Sequence, residues 1–170
     1  MGRGRDALEA VFSILKLLGV IFLSAALTAL LLKIAGAMPS EPTHEIFLRG
    51  QSGLVYILIA LILGYAGVVA IVSRIPEILA GVSIAAAFLP PTTVIGISLA
   101  MGWWDVLRGS AMLTVENILG LLSGSLIGLY VLNVSPQSYY EKRAAKLYTK
   151  RTLILLALML GSLILMELLL

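Results

Sequence analysis

The chain has 170 residues, of which 60% are apolar and only 12% are charged, and it contains no cysteine. Soluble domains contain about 45–50% apolar and about 25% charged residues, so the charged side chains are too few to cover a soluble globular surface. The 12 basic and 9 acidic residues leave a net charge of +3, which argues against a nucleic-acid binder. The absence of cysteine excludes thiolate chemistry and disulfides. The composition therefore predicts a multi-pass membrane protein.

Five runs of the sequence are apolar enough to cross a bilayer as helices, since a span needs about 20 mostly apolar residues. We predict spans at 11–37, 53–73, 78–102, 110–133 and 152–170. None of these runs alternates apolar and polar residues, as the strands of a membrane β-barrel do. The predicted fold is an all-α, polytopic transmembrane helix bundle that forms a single membrane domain over residues 1–170.

The basic residues predict the orientation, because cytoplasmic loops carry the excess of Lys and Arg. With the N-terminus inside, five crossings leave Arg49 and Arg108 in the outer loops and place the C-terminus outside. The inner segments hold eight basic residues: Arg3, Arg5, Arg74, Lys142, Arg143, Lys146, Lys150 and Arg151.

The segment 135–151 is a long hydrophilic stretch of tyrosines and basic residues. Ser135 can cap a helix that has Pro136 in its first position. We predict a basic interfacial helix whose positive side chains contact anionic lipid headgroups. The alternative is recognition of a soluble partner or of one particular lipid. The predicted lipid contacts are Lys142, Arg143, Lys146, Lys150 and Arg151.

Two consecutive prolines lie near the middle of the third predicted span, followed by two threonines. Each proline removes a backbone N–H donor, and its ring clashes with the preceding turn. Pro90 and Pro91 together predict that the third span is broken, which would free carbonyl groups beside the hydroxyls of Thr92 and Thr93. Because broken helices bind ions and substrates in transporters, these four residues are a candidate binding site. The alternative is a structural kink satisfied by neighbouring helices.

Glu116 and Asn117 lie inside the fourth predicted span. A charged acid within a membrane costs about 2.5–3.5 kcal/mol on insertion scales, so Glu116 should be protonated, paired or exposed to a wet cavity. One interpretation is a proton- or cation-carrying residue. The other is an interhelical hydrogen bond, or an ion pair with Arg108, which precedes Glu116 by about two helical turns. Both residues are candidates for substrate or ion binding.

A stripe of small residues continues from Glu116 along the same helix. Gly120, Gly124 and Gly128 recur at intervals of four, a spacing that allows two helix backbones to approach closely. Gly64 and Gly67 in the second span offer a complementary surface. The pattern predicts helix packing, either within one chain or between chains.

Residues 80–131 resemble a family of uncharacterised hydrophobic membrane proteins from archaea and bacteria, catalogued as domain of unknown function 389. The resemblance extends to an outer-loop segment that begins at Glu41. It rests on Gly81, Leu89-Pro90-Pro91, Gly96-Ile97-Ser98-Leu99-Ala100-Met101-Gly102, Trp103-Trp104-Asp105 and Asn117-Ile118-Leu119-Gly120. The resemblance implies a location in the plasma membrane of a prokaryote, and it implies no substrate.

This chain departs from the family pattern in two places. Family members usually carry threonine at the position of Glu116, so the acid is a feature of this chain. The family domain usually opens with an apolar hairpin holding a Ser-Pro-Leu-Met-Gly-Pro type of motif, which this sequence lacks. We therefore expect a short form, a fragment or one half of a two-chain assembly. The expected partner is a second copy of this chain, as in a homo-oligomer, or another chain that supplies the hairpin.

No enzyme site is evident in the sequence. It has no Gly-rich phosphate loop, and His44 is its single histidine; one histidine between two carboxylates is a poor zinc site, so the loop around it is interpreted as a solvated turn. We expect no catalytic residue, metal or cofactor, and no partner nucleic acid. The expected function is a small-solute or ion permease, or a subunit of one, in the lipid bilayer. The alternative is a non-transporting membrane scaffold or assembly subunit that packs through its Gly-rich helix faces.

Overall fold

The computed structural model of the chain describes residues 2–134, 151–162 and 164–165. Every regular element within those residues is a helix, which confirms the predicted all-α class. The helices are α1 (Gly2–Ile34), α2 (His44–Leu48), α3 (Leu54–Val72), α4 (Glu77–Met101), α5 (Trp104–Val131) and α6 (Arg151–Ser162).

Three helices are long and apolar enough to cross a membrane: α1 from Leu8 onward, α3 and α5. Two shorter apolar helices cover Ala85–Met101 within α4 and Arg151–Ser162. Both α1 and α5 begin before the predicted spans do, because helical hydrogen bonding can continue into residues that are not apolar. The count of five spans and their orientation stay predictions.

The described chain divides into two compact units, and the first comprises Met1–Gln51 and Phe88–Thr114. In this unit α1 and the second half of α4 approach closely at Gly96, where an added Cβ would lie 2.5 Å from the carbonyl oxygen of Phe22. The ammonium group of Lys33 donates a hydrogen bond to the carbonyl oxygen of Ala100 at 3.1 Å. This hydrogen bond links the C-terminal end of α1 to the C-terminal end of α4.

The loop that carries α2 is attached to the beginning of α5 within the same unit. The Ser110 hydroxyl donates to the carbonyl oxygen of Arg49 at 3.0 Å, and the Trp103 indole N–H donates to that of Ser40 at 3.3 Å. Gly109 lies directly against the carbonyl of Gly50. The solvated turn predicted here is therefore wrong in part: the segment contains a short helix tied to its neighbour.

The second unit comprises Ser52–Ala87 and Val115–Leu170, and α3 and α5 make its closest backbone contacts. Gly64 faces the carbonyl of Leu121, and Gly124 faces the carbonyl of Leu61. The Ser125 hydroxyl adds a hydrogen bond to the Gly64 carbonyl oxygen at 3.2 Å. A small apolar core links these helices to α6 and consists of Ile57, Leu119, Leu156 and Leu160.

Helix α4 continues through Pro90 and Pro91, so the prediction that the third span is broken there is wrong. Pro91 has no N–H with which to bond the carbonyl oxygen of Ala87, four residues earlier. The side-chain amide of Asn117 donates to that oxygen instead, at 2.8 Å. A neighbouring helix thus satisfies the carbonyl that Pro91 leaves unbonded, and α4 keeps its helical path.

Candidate functional site

The residues predicted as candidates for substrate or ion binding belong to two different units of the chain. Pro90 to Thr93 lie in the first unit, whereas Glu116 and Asn117 lie in the second. Pro91 and Thr92 are buried and Thr93 is half-buried. Among the described residues, no group hydrogen-bonds the hydroxyl of Thr92. The two parts are therefore considered one after the other.

A cleft of about 260 Å³ lies between α1 and α4 in the first unit. Three hydroxyl-bearing residues line it, Ser24 and Thr28 from α1 and Thr93 from α4. The pattern that could have identified Ser24 and Thr28 in the sequence is their spacing of four residues, which places both on one helix face. The remaining lining residues are Ile21, Ala25, Ala29, Leu32, Met38 and Ile97.

Each of these hydroxyls donates its proton to its own helix. Ser24 bonds the carbonyl oxygen of Ile21 at 2.9 Å, and Thr28 bonds that of Ser24 at 2.8 Å. Thr93 bonds the carbonyl oxygen of Leu89 at 2.8 Å. Because the protons are engaged, the oxygen lone pairs are what the three groups can offer a ligand. The cleft is chemically suited to a cation or to a solute that donates hydrogen bonds.

A second, more open cavity of about 400 Å³ shares Thr93 and Ile97 with the cleft. Its lining includes Pro90 and two charged residues of the α2 loop, Glu45 and Arg49, which were not predicted as site residues. The other lining residues are Ile46, Leu89 and Val94. The stretch of α4 that follows the double proline therefore lines both cavities.

Glu116 is fully buried in the second unit. One of its carboxylate oxygens, Oε2, accepts a hydrogen bond from the backbone N–H of Gly53 at 3.3 Å. Gly53 immediately precedes α3, and the positive end of a helix dipole favours an acidic group at that place. Glu116 thus stabilises the start of α3, whichever further role it has.

The glycine stripe of α5 faces α3 within the chain. An added Cβ at Gly120 would lie 2.5 Å from the Cβ of Ala60, and one at Gly128 would lie 3.0 Å from the Cβ of Val68. Gly67, on α3, is half-buried. The small residues accordingly allow an intramolecular helix contact, which was one of the two alternatives for this pattern.

Most of the predicted interfacial helix lies outside the described residues, including Lys142, Arg143, Lys146 and Lys150. Arg151 is described, and it is an exposed residue at the start of α6. Contact of these side chains with anionic lipid stays a prediction.

The fold defines an all-helical protein whose long apolar helices are compatible with residence in a membrane. The chain belongs to the family described as "Domain of unknown function (DUF389)", whose sequence model matches residues 1–123; this confirms the resemblance drawn from the motifs. It is similar to an uncharacterized protein of Methanocaldococcus jannaschii, with 31% identity over 99 residues. The match covers 58% of this chain and 31% of that relative. No solved structure matches the chain.

Proposed function

We propose that this protein is a permease for small solutes or ions, or a subunit of one, in the plasma membrane of a prokaryote. In this proposal the three long apolar helices and the two shorter ones all cross the bilayer, which gives five spans. The excess of Lys and Arg in alternate loops supports an inner N-terminus and an outer C-terminus. The proposed transported species is a small cation or a small solute that donates hydrogen bonds.

The hydroxyl-lined cleft between α1 and α4 is the observation that carries this proposal. Ser24, Thr28 and Thr93 line it with oxygen atoms whose protons are bonded to their own helices. Such oxygens accept hydrogen bonds and attract cations, and they repel anions.

Removing the hydroxyls of the cleft should slow transport without unfolding the protein. The assay measures the flux of labelled probes into proteoliposomes that contain the chain. Methylammonium is the probe that donates hydrogen bonds, potassium is the simple cation, and acetate is the anion. We expect Ser24→Ala and Thr93→Val each to lower methylammonium or potassium flux about fivefold to tenfold, the equivalent of one lost hydrogen bond.

Ser13→Ala is the matched control, because Ser13 lies on α1 and donates to the carbonyl oxygen of Glu9 at 2.8 Å but does not line the cleft. Its flux should equal that of the unsubstituted chain. If Ser13→Ala and Ser24→Ala have the same flux, or if acetate is the probe that crosses, the assignment of the cleft is wrong.

Glu116 is proposed as a proton- or cation-carrying residue of the same permease. The substitution Glu116→Gln keeps a side-chain oxygen that can accept the Gly53 N–H, so it removes the ionisable group with little change in shape. We expect cation flux to fall to the level of protein-free vesicles, with helical content unchanged by circular dichroism. Glu41→Gln, in the exposed outer loop, should transport normally; unchanged flux in Glu116→Gln would restrict Glu116 to its structural contact.

A scaffold or assembly subunit is the second candidate, and the exposure of α1 favours it. Large apolar side chains of α1 are exposed from Leu8 to Ile34, a surface available to lipid or to another protein. An oligomeric scaffold would use this face, since the glycines of α5 already contact α3. Native mass spectrometry that finds a defined oligomer, together with no flux of any probe, would favour the scaffold over the permease.

A further inference from the structure

We infer that the cavity beside α2 binds a phospholipid whose headgroup carries both a phosphate and a primary amine. Glu45 and Arg49 would hold the headgroup, and the apolar residues of α4 would contact the chains. The inference requires the membrane location of the proposed function, and it is independent of whether the protein transports anything.

The two charged residues of the cavity have opposite signs and lie on the same side of α2. Glu45 is in the first turn of the helix, and Arg49 follows it by four residues at the C-cap with helical backbone angles. Residues at this spacing are neighbours on a helix surface. Both side chains are exposed and both line the cavity, so a ligand can contact the two charges together.

Apart from Thr93, the rest of the lining is apolar, and most of it lies along one side of α4. Leu89, Pro90, Val94 and Ile97 all contribute to it, and Leu89 is 39% exposed. A fully hydrophilic solute would gain no binding free energy from contact with these residues, whereas burial of an acyl or isoprenoid chain against them is favourable. The cavity therefore combines the charged groups and the apolar surface that an amphiphile needs.

The tryptophans at the start of α5 support a position of this cavity close to the membrane surface. Trp104 is 60% exposed, and tryptophan is enriched at the level of lipid headgroups. Arg49 is bonded through its carbonyl oxygen to Ser110, which lies six residues after Trp104, or roughly 9 Å along the helix. A long arginine side chain can extend from that depth to the headgroups.

The headgroup chemistry follows from the two side chains. A guanidinium binds a phosphate through paired hydrogen bonds, and a carboxylate accepts hydrogen bonds from a primary ammonium group. Phosphatidylethanolamine offers both partners. Phosphatidylcholine has no N–H to donate to Glu45, and phosphatidylglycerol brings no cation to it. The site should therefore prefer phosphatidylethanolamine to either of the other lipids.

Native mass spectrometry of the purified 170-residue chain tests this preference. The protein is incubated with phosphatidylethanolamine, phosphatidylcholine and phosphatidylglycerol that have identical acyl chains, and the lipid retained on it is counted. We expect about threefold to fivefold more phosphatidylethanolamine than phosphatidylcholine, as for a partly exposed charge pair. Arg49→Gln should lower the retention of all three lipids, because each of them carries a phosphate, and Glu45→Gln should abolish the preference. The exposed residues Glu41 and Arg74 supply the controls, Glu41→Gln and Arg74→Gln, which should keep it.

Equal retention of phosphatidylethanolamine and phosphatidylcholine would overturn the inference, as would a preference that survives Glu45→Gln. Displacement of the lipid by free phosphoethanolamine would show a water-soluble ligand in place of a lipid, and it would also overturn the assignment; resistance to displacement supports it. Because no solute gradient is applied, failure here is distinct from failure of the permease proposal in flux assays.

Discussion

Gly124→Ala should destabilise the protein by about 2 kcal/mol, the cost of inserting one methyl group where nothing can move aside. An added Cβ at this position meets the carbonyl group and the Cα of Leu61. These are backbone atoms of α3, so relief would require the two helices to separate. The free energy of unfolding in detergent, followed by circular dichroism, measures the effect.

Gly19→Ala is the matched control for this prediction. Gly19 also lies inside a long helix, α1, but among the described residues an added Cβ there meets nothing within 4 Å beyond its chain neighbours and the adjacent backbone of its own helix. Alanine has a higher helix propensity than glycine by about 1 kcal/mol, so this substitution should stabilise the protein. The two glycine substitutions should therefore have opposite signs, and a stabilising Gly124→Ala would contradict the close contact of α3 with α5.

Asn117→Leu should lower the stability of the protein, because it removes the donor that bonds the carbonyl oxygen of Ala87. A carbonyl without a partner costs about 1–3 kcal/mol when it is buried, although hydrogen bonds between membrane helices average about 0.6 kcal/mol. We expect a loss of about 1 kcal/mol in the free energy of unfolding, measured as for the glycine variants.

A double-mutant cycle with Pro91→Ala separates this hydrogen bond from other effects of Asn117. Alanine at position 91 restores the backbone N–H that can bond the Ala87 carbonyl within α4. The cost of Asn117→Leu should then decrease by about 1 kcal/mol in the Pro91→Ala background. An unchanged cost would show that Asn117 does not compensate for Pro91.

The glycine stripe shows what a local sequence pattern can predict about a helix contact. Intervals of four residues from Gly120 to Gly128 predicted a close helix contact, since a helix brings such positions to one face. The sequence did not indicate whether the opposing helix belongs to the same chain. The contacts of Gly64 with Leu121 and of Gly124 with Leu61 supply that answer, and they depend on how α3 and α5 are placed.

The double proline shows where local reasoning was wrong. The missing N–H of Pro91 is a local property, and it correctly identified a carbonyl in need of a donor. The donor, Asn117, is 30 residues away along the chain. No local pattern reports a hydrogen bond at that separation, so the sequence predicted a broken helix where the structure has a continuous one.

The α2 loop shows a similar gap between the sequence and the candidate site. Glu45 and Arg49 were interpreted as part of a solvated turn, because the loop around His44 has too few ligands for a metal site. Bonds from Ser110 and Trp103 attach this loop to the start of α5. The attachment places the two charges in a cavity together with Pro90 and Thr93, which their sequence positions did not predict.

The low content of charged residues, by itself, determined that this is a chain of apolar helices suited to a membrane, because too few polar side chains exist to cover a soluble surface. The motif residues likewise determined its family. Only the tertiary structure decided which groups come together: Glu116 with Gly53, Asn117 with the carbonyl of Ala87, and the hydroxyls of α1 in one cleft with Thr93. The physical reason is the separation along the sequence over which each effect acts. Hydropathy and backbone propensity act over neighbouring residues, whereas these contacts depend on how helices distant in sequence pack.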